Sequence, residues 1–125
     1  MSTIIDTEYV SFATKKHSGD WVATPLWCAP ADGRYFIFSA ADAGKVKRLR
    51  NYSEIRAAAC TFNGRVTSDW LDGHGELINS DEDVTTAYAA LNKKYGFKMK
   101  ATDFFSKLAG KYTQRQLIAF TLNES

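Results

Sequence analysis

The chain reads as an α+β protein dominated by a small antiparallel β-barrel or sheet. Three observations predict this: several short aromatic and β-branched runs separated by turn signals, helix-like spacing in a few short stretches, and a final apolar run after the helices. With 125 residues, 45% hydrophobic and 24% charged, the composition is that of an ordinary globular domain. A chain of this size buries roughly two thirds of its surface, so one core over 1–125 suffices without disulfides or a structural metal.

The elements follow in order. Tyr9 to Thr14 alternates and ends in KKHSGD, a hairpin loop closing at Gly19-Asp20. Trp21 to Ala29 is aromatic and branched but holds Pro25, which cannot donate to a ladder, so this strand is expected to be bulged or at an edge. PADG is a turn, and Arg34 to Ser39 returns as the other arm of a hairpin. Asp42 is placed to cap a short helix with Val46 and Leu49 on its apolar face and cations on the other. Ile55 to Phe62 suits a strand buried on both sides, Asn63-Gly64 a turn, and Arg65 to Ile78 a resumed strand, giving a meander of at least five strands. Asn79-Ser80-Asp81 introduces a helix over Glu82 to Tyr95 with Gly96 as its stop. A further helix is expected from a Thr102 cap to Ala109, ending at Gly110, then a strand over Gln116 to Leu122.

Charge and motifs narrow the function. The net charge of +2 is too near balance for wrapping nucleic acid, and no apolar run approaches a membrane span, so neither partner is expected. The opening residues MSTIIDTEY carry acids where a signal peptide would carry bases, which predicts a cytoplasmic location. Cys28 and Cys60 sit in apolar runs without metal-ligand spacing and are expected to be reduced core residues. His17 and His74 lie in expected loops with no ligand partners in spacing, the acidic run before Asp83 lacks the EF-hand order, and no nucleophile motif is present. No catalytic side chain and no metal site is therefore assigned.

The informative segment is basic. From Lys45 to Arg56 there are five cations against one acid, Glu54, while Asp69 to Asp83 holds six acids and no base. Cations at the start of a helix just after a strand, with Gly44 allowing close backbone approach, make an anion site. A solvated helix face fits the same residues equally well. Upstream, Thr24-Pro25-Leu26-Trp27 breaks its strand at the proline and frees backbone groups to meet the edge of a planar heterocycle, although an edge irregularity with Trp27 in the core fits it too.

Taken together, Thr24-Pro25-Leu26-Trp27, Asp32 to Ser39 and Ala43 to Arg50 resemble the split β-barrels related to pyridoxamine 5′-phosphate oxidase, in particular the branch that uses the deazaflavin F420, over residues 7 to 122. The resemblance implies a six- or seven-stranded antiparallel split barrel with short peripheral helices, a homodimer, and FMN or F420 in a groove at the dimer interface. It implies that Lys45 holds the cofactor phosphate with Lys47 and Arg48 beside it, that Ser39 and Ala40 line the ribityl or phosphate region, and that Thr24, Pro25 and Leu26 lie along the ring. Ala43-Gly44 stands where the vitamin B6 oxidases carry Ser-Arg, and their C-terminal substrate segment is absent, so oxidation of B6 is not expected. The implied function is an oxidoreductase passing hydride between the cofactor and a small organic substrate. The alternative, also found among split barrels, is a non-catalytic binder or carrier of FMN, F420, haem or another tetrapyrrole.

Overall fold

A computed structural model describes residues 7–108, 110 and 115–123. Seven strands form one antiparallel sheet: β1 (Tyr9–Lys15), β2 (Trp21–Trp27), β3 (Ala29–Ala31), β4 (Arg34–Ala40), β5 (Glu54–Cys60), β6 (Leu71–Ile78) and β7 (Arg115–Leu122). Three helices accompany them: α1 (Gly44–Asn51), α2 (Asp81–Tyr95) and α3 (Phe97–Leu108). The mainly-β α+β class predicted from the sequence is the class observed.

The strand order is β2-β1-β5-β6-β7-β4-β3, so the expected meander is not what forms. After α1 the chain does not return to β4. It pairs β5 with β1, and β4 takes β7 as its neighbour. The order also explains the closure of the sheet. β2 and β3 occupy its two outer edges, yet only Cys28 separates them in sequence. A sheet whose two edges are one residue apart must be curled, which makes the molecule a half-barrel.

The single strand expected over Trp21 to Ala29 is thus two. Pro25 lies opposite Ser11 in an unbroken register on the outer strand, an edge position where its missing donor costs nothing. The turn between β3 and β4 is the two-residue Asp32-Gly33 hairpin, both residues at positive φ, +52° and +77°. Arg34 then ties this hairpin to α2, its Nη2 2.8 Å from Asp83 Oδ1 and its Nη1 3.7 Å from Glu76.

Four further expectations need correction. Asp42 does not cap α1: Ala43 occupies that position, with no side-chain hydrogen bond. β5 ends at Cys60, because Thr61 already begins the turn, accepting from the Arg65 N–H while Gly64 N–H donates to the Thr61 carbonyl. Arg65 to Asp69 is loop, tied to the sheet by the Cys60–Val66 bridge and the 2.8 Å bond from Thr67 N–H to the Ala59 carbonyl, and β6 begins only at Leu71. The last helix starts at Phe97, straight after Gly96, and Thr102 is interior to it, its hydroxyl donating back to the Lys98 carbonyl at 2.9 Å. Ala109, its expected end, lies outside the described residues.

The curl encloses one core, with Phe12, Tyr35, Ile37, Val46, Leu49, Ile55, Ala57 and Phe120 packed on the inner face. A second core forms where α2 and α3 cover the other face of β4 and β7, around Phe36, Leu91, Tyr95, Met99 and Leu117. Gly73 lets β6 and β7 approach closely, since a Cβ there would lie 2.0 Å from the Thr121 carbonyl oxygen. Cys28 and Cys60 are free and buried, as expected, and burial pushes the Cys28 thiol up to about 12.

Candidate functional site

β4 delivers the chain to the candidate site, and α1 builds it. Tyr35 and Ile37 face the inner core, so by strand alternation Ser39 ends the same row, while Ala40 falls on the opposite side and is exposed. α1 packs through Val46 and Leu49, which are buried, and this fixes the outward directions of its other side chains. Lys45 Nζ lies 3.4 Å from Ser39 Oγ. Burial, and then the neighbouring Arg48 cation, lower the Lys45 ammonium below its ordinary value.

Arg48 lies one turn on. Its Nε donates to Thr14 Oγ1 at 2.6 Å, anchoring α1 to the end of β1. Its guanidinium lies against the start of the helix, where a Cβ at Gly44 would stand 2.7 Å from Nη1. The cation thus folds back over the first turn, into space that a side chain at Gly44 would make it share. Among the described residues, none of the four α1 cations (Lys45, Lys47, Arg48 and Arg50) joins an ion pair, although five other basic residues of the chain do.

The N-terminus of α1 is open as well. Ala43 gives its carbonyl to the N–H groups of Val46 and Lys47 but has no side-chain oxygen to cap with, and the first turn holds no acid. A helix start leaves its first N–H groups without internal partners and carries partial positive charge. Backbone donors, a half-buried ammonium and a folded-back guanidinium therefore converge where, among the described residues, no ion pair neutralises them. A phosphate fits that set of donors.

The remaining expected residues are placed less uniformly. Thr24 pairs with Phe12 and Leu26 with Val10, so both side chains point to the inner face, where Leu26 and Ala43 pack on the same core. Thr24 Oγ1 is buried with no hydrogen-bond partner among the described residues, a hydroxyl turned inward. Pro25 faces the other way, next to Gly64. Lys47 is exposed on α1. The structure thus brings Ser39, Lys45 and Arg48 together, sets Thr24 and Leu26 on the same inner face, and turns Pro25, Ala40 and Lys47 away from it.

Sequence reasoning missed what stands beside Arg48. Lys15, Lys16 and His17, read only as part of a hairpin loop, line a cleft with Arg48 and Tyr52. The KKH run was visible, but its proximity to α1 depends on a contact between residues 14 and 48 that no local pattern encodes.

Solved structures with this architecture place it. HutZ, the heme storage protein of Vibrio cholerae, superposes with a TM-score of 0.69 at 10% identity, over 96% of this chain and 84% of its own. An FAD-binding protein of Mesorhizobium loti gives 0.66 at 17% identity, over 96% and 82%. A Clostridium acetobutylicum protein related to general stress protein 26, of the pyridoxinephosphate oxidase family, gives 0.65 at 14% identity, over 93% and 75%. The chain has the split-barrel fold of the pyridoxamine 5′-phosphate oxidases. No protein-family profile matches the sequence, and no curated protein matches it. Within the split barrel, the start of α1 follows the strand that ends at Ala40, and the described helices include none long and apolar enough to cross a membrane.

Proposed function

We propose that this split barrel binds a phosphate-bearing flavin or deazaflavin, FMN or F420, and works as an oxidoreductase on a small organic substrate. The observation that carries the reading is the α1 N-terminus, where Lys45 and Arg48 converge on an uncapped first turn that holds no acid, neither of them in an ion pair among the described residues. Lys45 and Arg48 would hold the phosphate, Ser39 would orient the Lys45 ammonium, and Thr24 and Leu26 on the inner face would border the ring. Lys47, exposed on the same helix, contributes long-range attraction only. When bound, such a cofactor supplies hydride transfer, and the chain supplies position and exclusion of water. No acid or base of the chain is required for that chemistry. The likeness to an FAD-binding protein and to a member of the pyridoxinephosphate oxidase family supports this reading. The active unit would be a homodimer in the cytoplasm, with exposed apolar side chains such as Phe62 and Trp70 covered by the second copy.

The likeness to a heme storage protein favours a second reading, a binder of haem or another tetrapyrrole without turnover. Titration of cofactor-free protein with FMN, F420 and haem separates the two. Saturable FMN or F420 binding, followed by consumption of reduced cofactor with a substrate panel, supports the oxidoreductase. A Soret shift with haem alone supports the carrier. Lys45→Ala should weaken FMN or F420 by about 1.5–3 kcal/mol, the worth of a charge-assisted contact, while riboflavin binding and folding stay as they were. Unchanged affinity for the phosphorylated ligands would remove Lys45 from the site.

A further inference from the structure

The stretch from Asn92 to Leu108 holds five lysines (Lys93, Lys94, Lys98, Lys100 and Lys107) against one acid, Asp103, a larger imbalance than the +2 of the whole chain. Most of it is α3, and α3 has two opposite sides. At about 100° per residue, Met99, Asp103 and Ser106 fall in one sector of the helix. That sector is the attached side: Met99 is buried in the second core, and Asp103 Oδ1 and Ser106 Oγ accept from Arg115 at 2.7 and 2.8 Å. Phe97, Ala101, Phe104 and Leu108 fall on the other side, within about 60° of one another. Phe97, Phe104 and Leu108 are accordingly 83%, 57% and 70% exposed.

An outward apolar row about 16 Å long marks a surface of contact. A second copy of α3 does not suit it. Lys100 and Lys107 border the row along one side and Lys98 along the other, so two rows laid together would set lysines against lysines. Asp103, the one acid of the helix, is turned away and held by Arg115, and offers no compensation. A protein partner of fixed shape needs about 800 Å² from each side, and three partly exposed side chains of at most about 250 Å² each fall short of that. A fluid surface that admits side chains singly and carries negative charge matches both the row and its edges. Lying on such a surface needs no spanning helix, only an apolar face edged by cations.

We infer that α3 docks the protein on an anionic phospholipid surface, with Phe97, Phe104 and Leu108 entering the acyl boundary and Lys98, Lys100 and Lys107 meeting the headgroups. Lys98 pairs with Glu8 at 2.9 Å across a solvent-exposed link, which headgroup phosphates can replace. Lys93, exposed in the last turn of α2, adds positive charge just ahead of the row. α3 supplies no residue to the cofactor site proposed above, so the two readings stand independently.

The test is co-sedimentation of the full chain with vesicles of phosphatidylcholine alone and of an equal mixture with phosphatidylglycerol, at low and high salt. Wild type should partition into the mixed vesicles at least about tenfold more strongly than into phosphatidylcholine, and high salt should release much of it. Phe97→Gln combined with Leu108→Gln should lower that partitioning at least about tenfold. Lys100→Glu should lower it at least about fivefold. All three side chains are exposed on the outer side of α3, so the thermal midpoint and the cofactor titration should stay as in wild type. Should the double variant fail to fold, Lys100→Glu carries the test alone. No partitioning, equal partitioning into both vesicles, or a folded variant that partitions like wild type overturns the inference. Self-association that the double variant disperses, with no vesicle binding, assigns the row to a second copy and overturns it as well.

Discussion

The Thr24 hydroxyl is buried on the inner face with no hydrogen-bond partner among the described residues, a state that costs about 1–3 kcal/mol when a polar group leaves water unpaired. A residue kept at such a cost invites a partner. Thr24→Val keeps the shape and the β-branched preference of the strand while removing the orphan. Without ligand, its thermal midpoint should therefore equal or exceed that of wild type. If the hydroxyl meets the cofactor, FMN or F420 affinity should fall several-fold. A lower midpoint with unchanged affinity would mean that Thr24 serves only packing. Individual residues were legible in the sequence where their roles are local. Lys45 and Arg48 are visible as cations at a helix start following a strand, and Gly44 as the small residue among them. The bond from Arg48 to Thr14 was not, because it joins residues 34 apart and depends on β1 lying beside α1.

At the level of elements, the two helix starts contrast. Ser80 caps α2, accepting from the Asp83 N–H at 3.1 Å, with Asp81, Glu82 and Asp83 in the first turn. α1 has neither cap nor acid, although Ala43 holds the extended backbone of a cap residue, φ −66° and ψ 152°. Supplying the missing cap should therefore compete with the ligand. Ala43→Asp is expected to add up to about 1 kcal/mol to helix stability and to weaken a phosphate-bearing cofactor about tenfold, because the new carboxylate takes the same donors. Denaturant melts and the cofactor titration measure the two effects separately, and a fully retained affinity would place the phosphate elsewhere. The contrast also explains what was legible. α2 announced itself through Ser80, its acids and Gly96, and the β3–β4 hairpin through Asp32-Gly33. The start of α3 was hidden because Gly96 ends one helix and the next begins at once, leaving no loop to read. The division of the strand read over Trp21 to Ala29 was hidden because both parts are extended and only the pairing partners differ, β1 for one and β4 for the other, and the PADG turn signal masked Pro30 and Ala31, which belong to β3.

For the whole molecule, the decisive place is that division. The curl brings β2 and β3, the outer strands of the sheet, to either side of Cys28, and one side chain of α2 holds the crossing. Tyr95 stacks on Trp27 with ring centroids 4.7 Å apart. Its hydroxyl accepts from the Cys28 N–H at 2.9 Å and faces the carbonyls of Glu8 at 2.6 Å and Cys28 at 3.0 Å. Lys94 Nζ adds a 2.6 Å bond to the same Cys28 carbonyl. Ionised, the phenol would lose its proton donor and set a negative oxygen against two carbonyls, and burial raises its pKa first of all. Burial likewise holds the Cys28 thiol protonated up to about 12, against 9.0 when free. Both folded-state values are raised, so their contribution is complete below about pH 9, where folded and unfolded chains alike are protonated. It declines as the unfolded groups ionise; the Cys28 share is spent once pH passes about 12, while the Tyr95 share goes on falling above that. The split barrel should therefore lose stability steeply between those limits, seen as a falling urea midpoint by circular dichroism. Cys28→Ala should flatten that fall. Tyr95→Phe should flatten it too, while costing about 1–3 kcal/mol at neutral pH by leaving the Cys28 N–H without an acceptor. An alkaline slope identical in wild type and both variants would show that the crossing is not where the molecule yields to base.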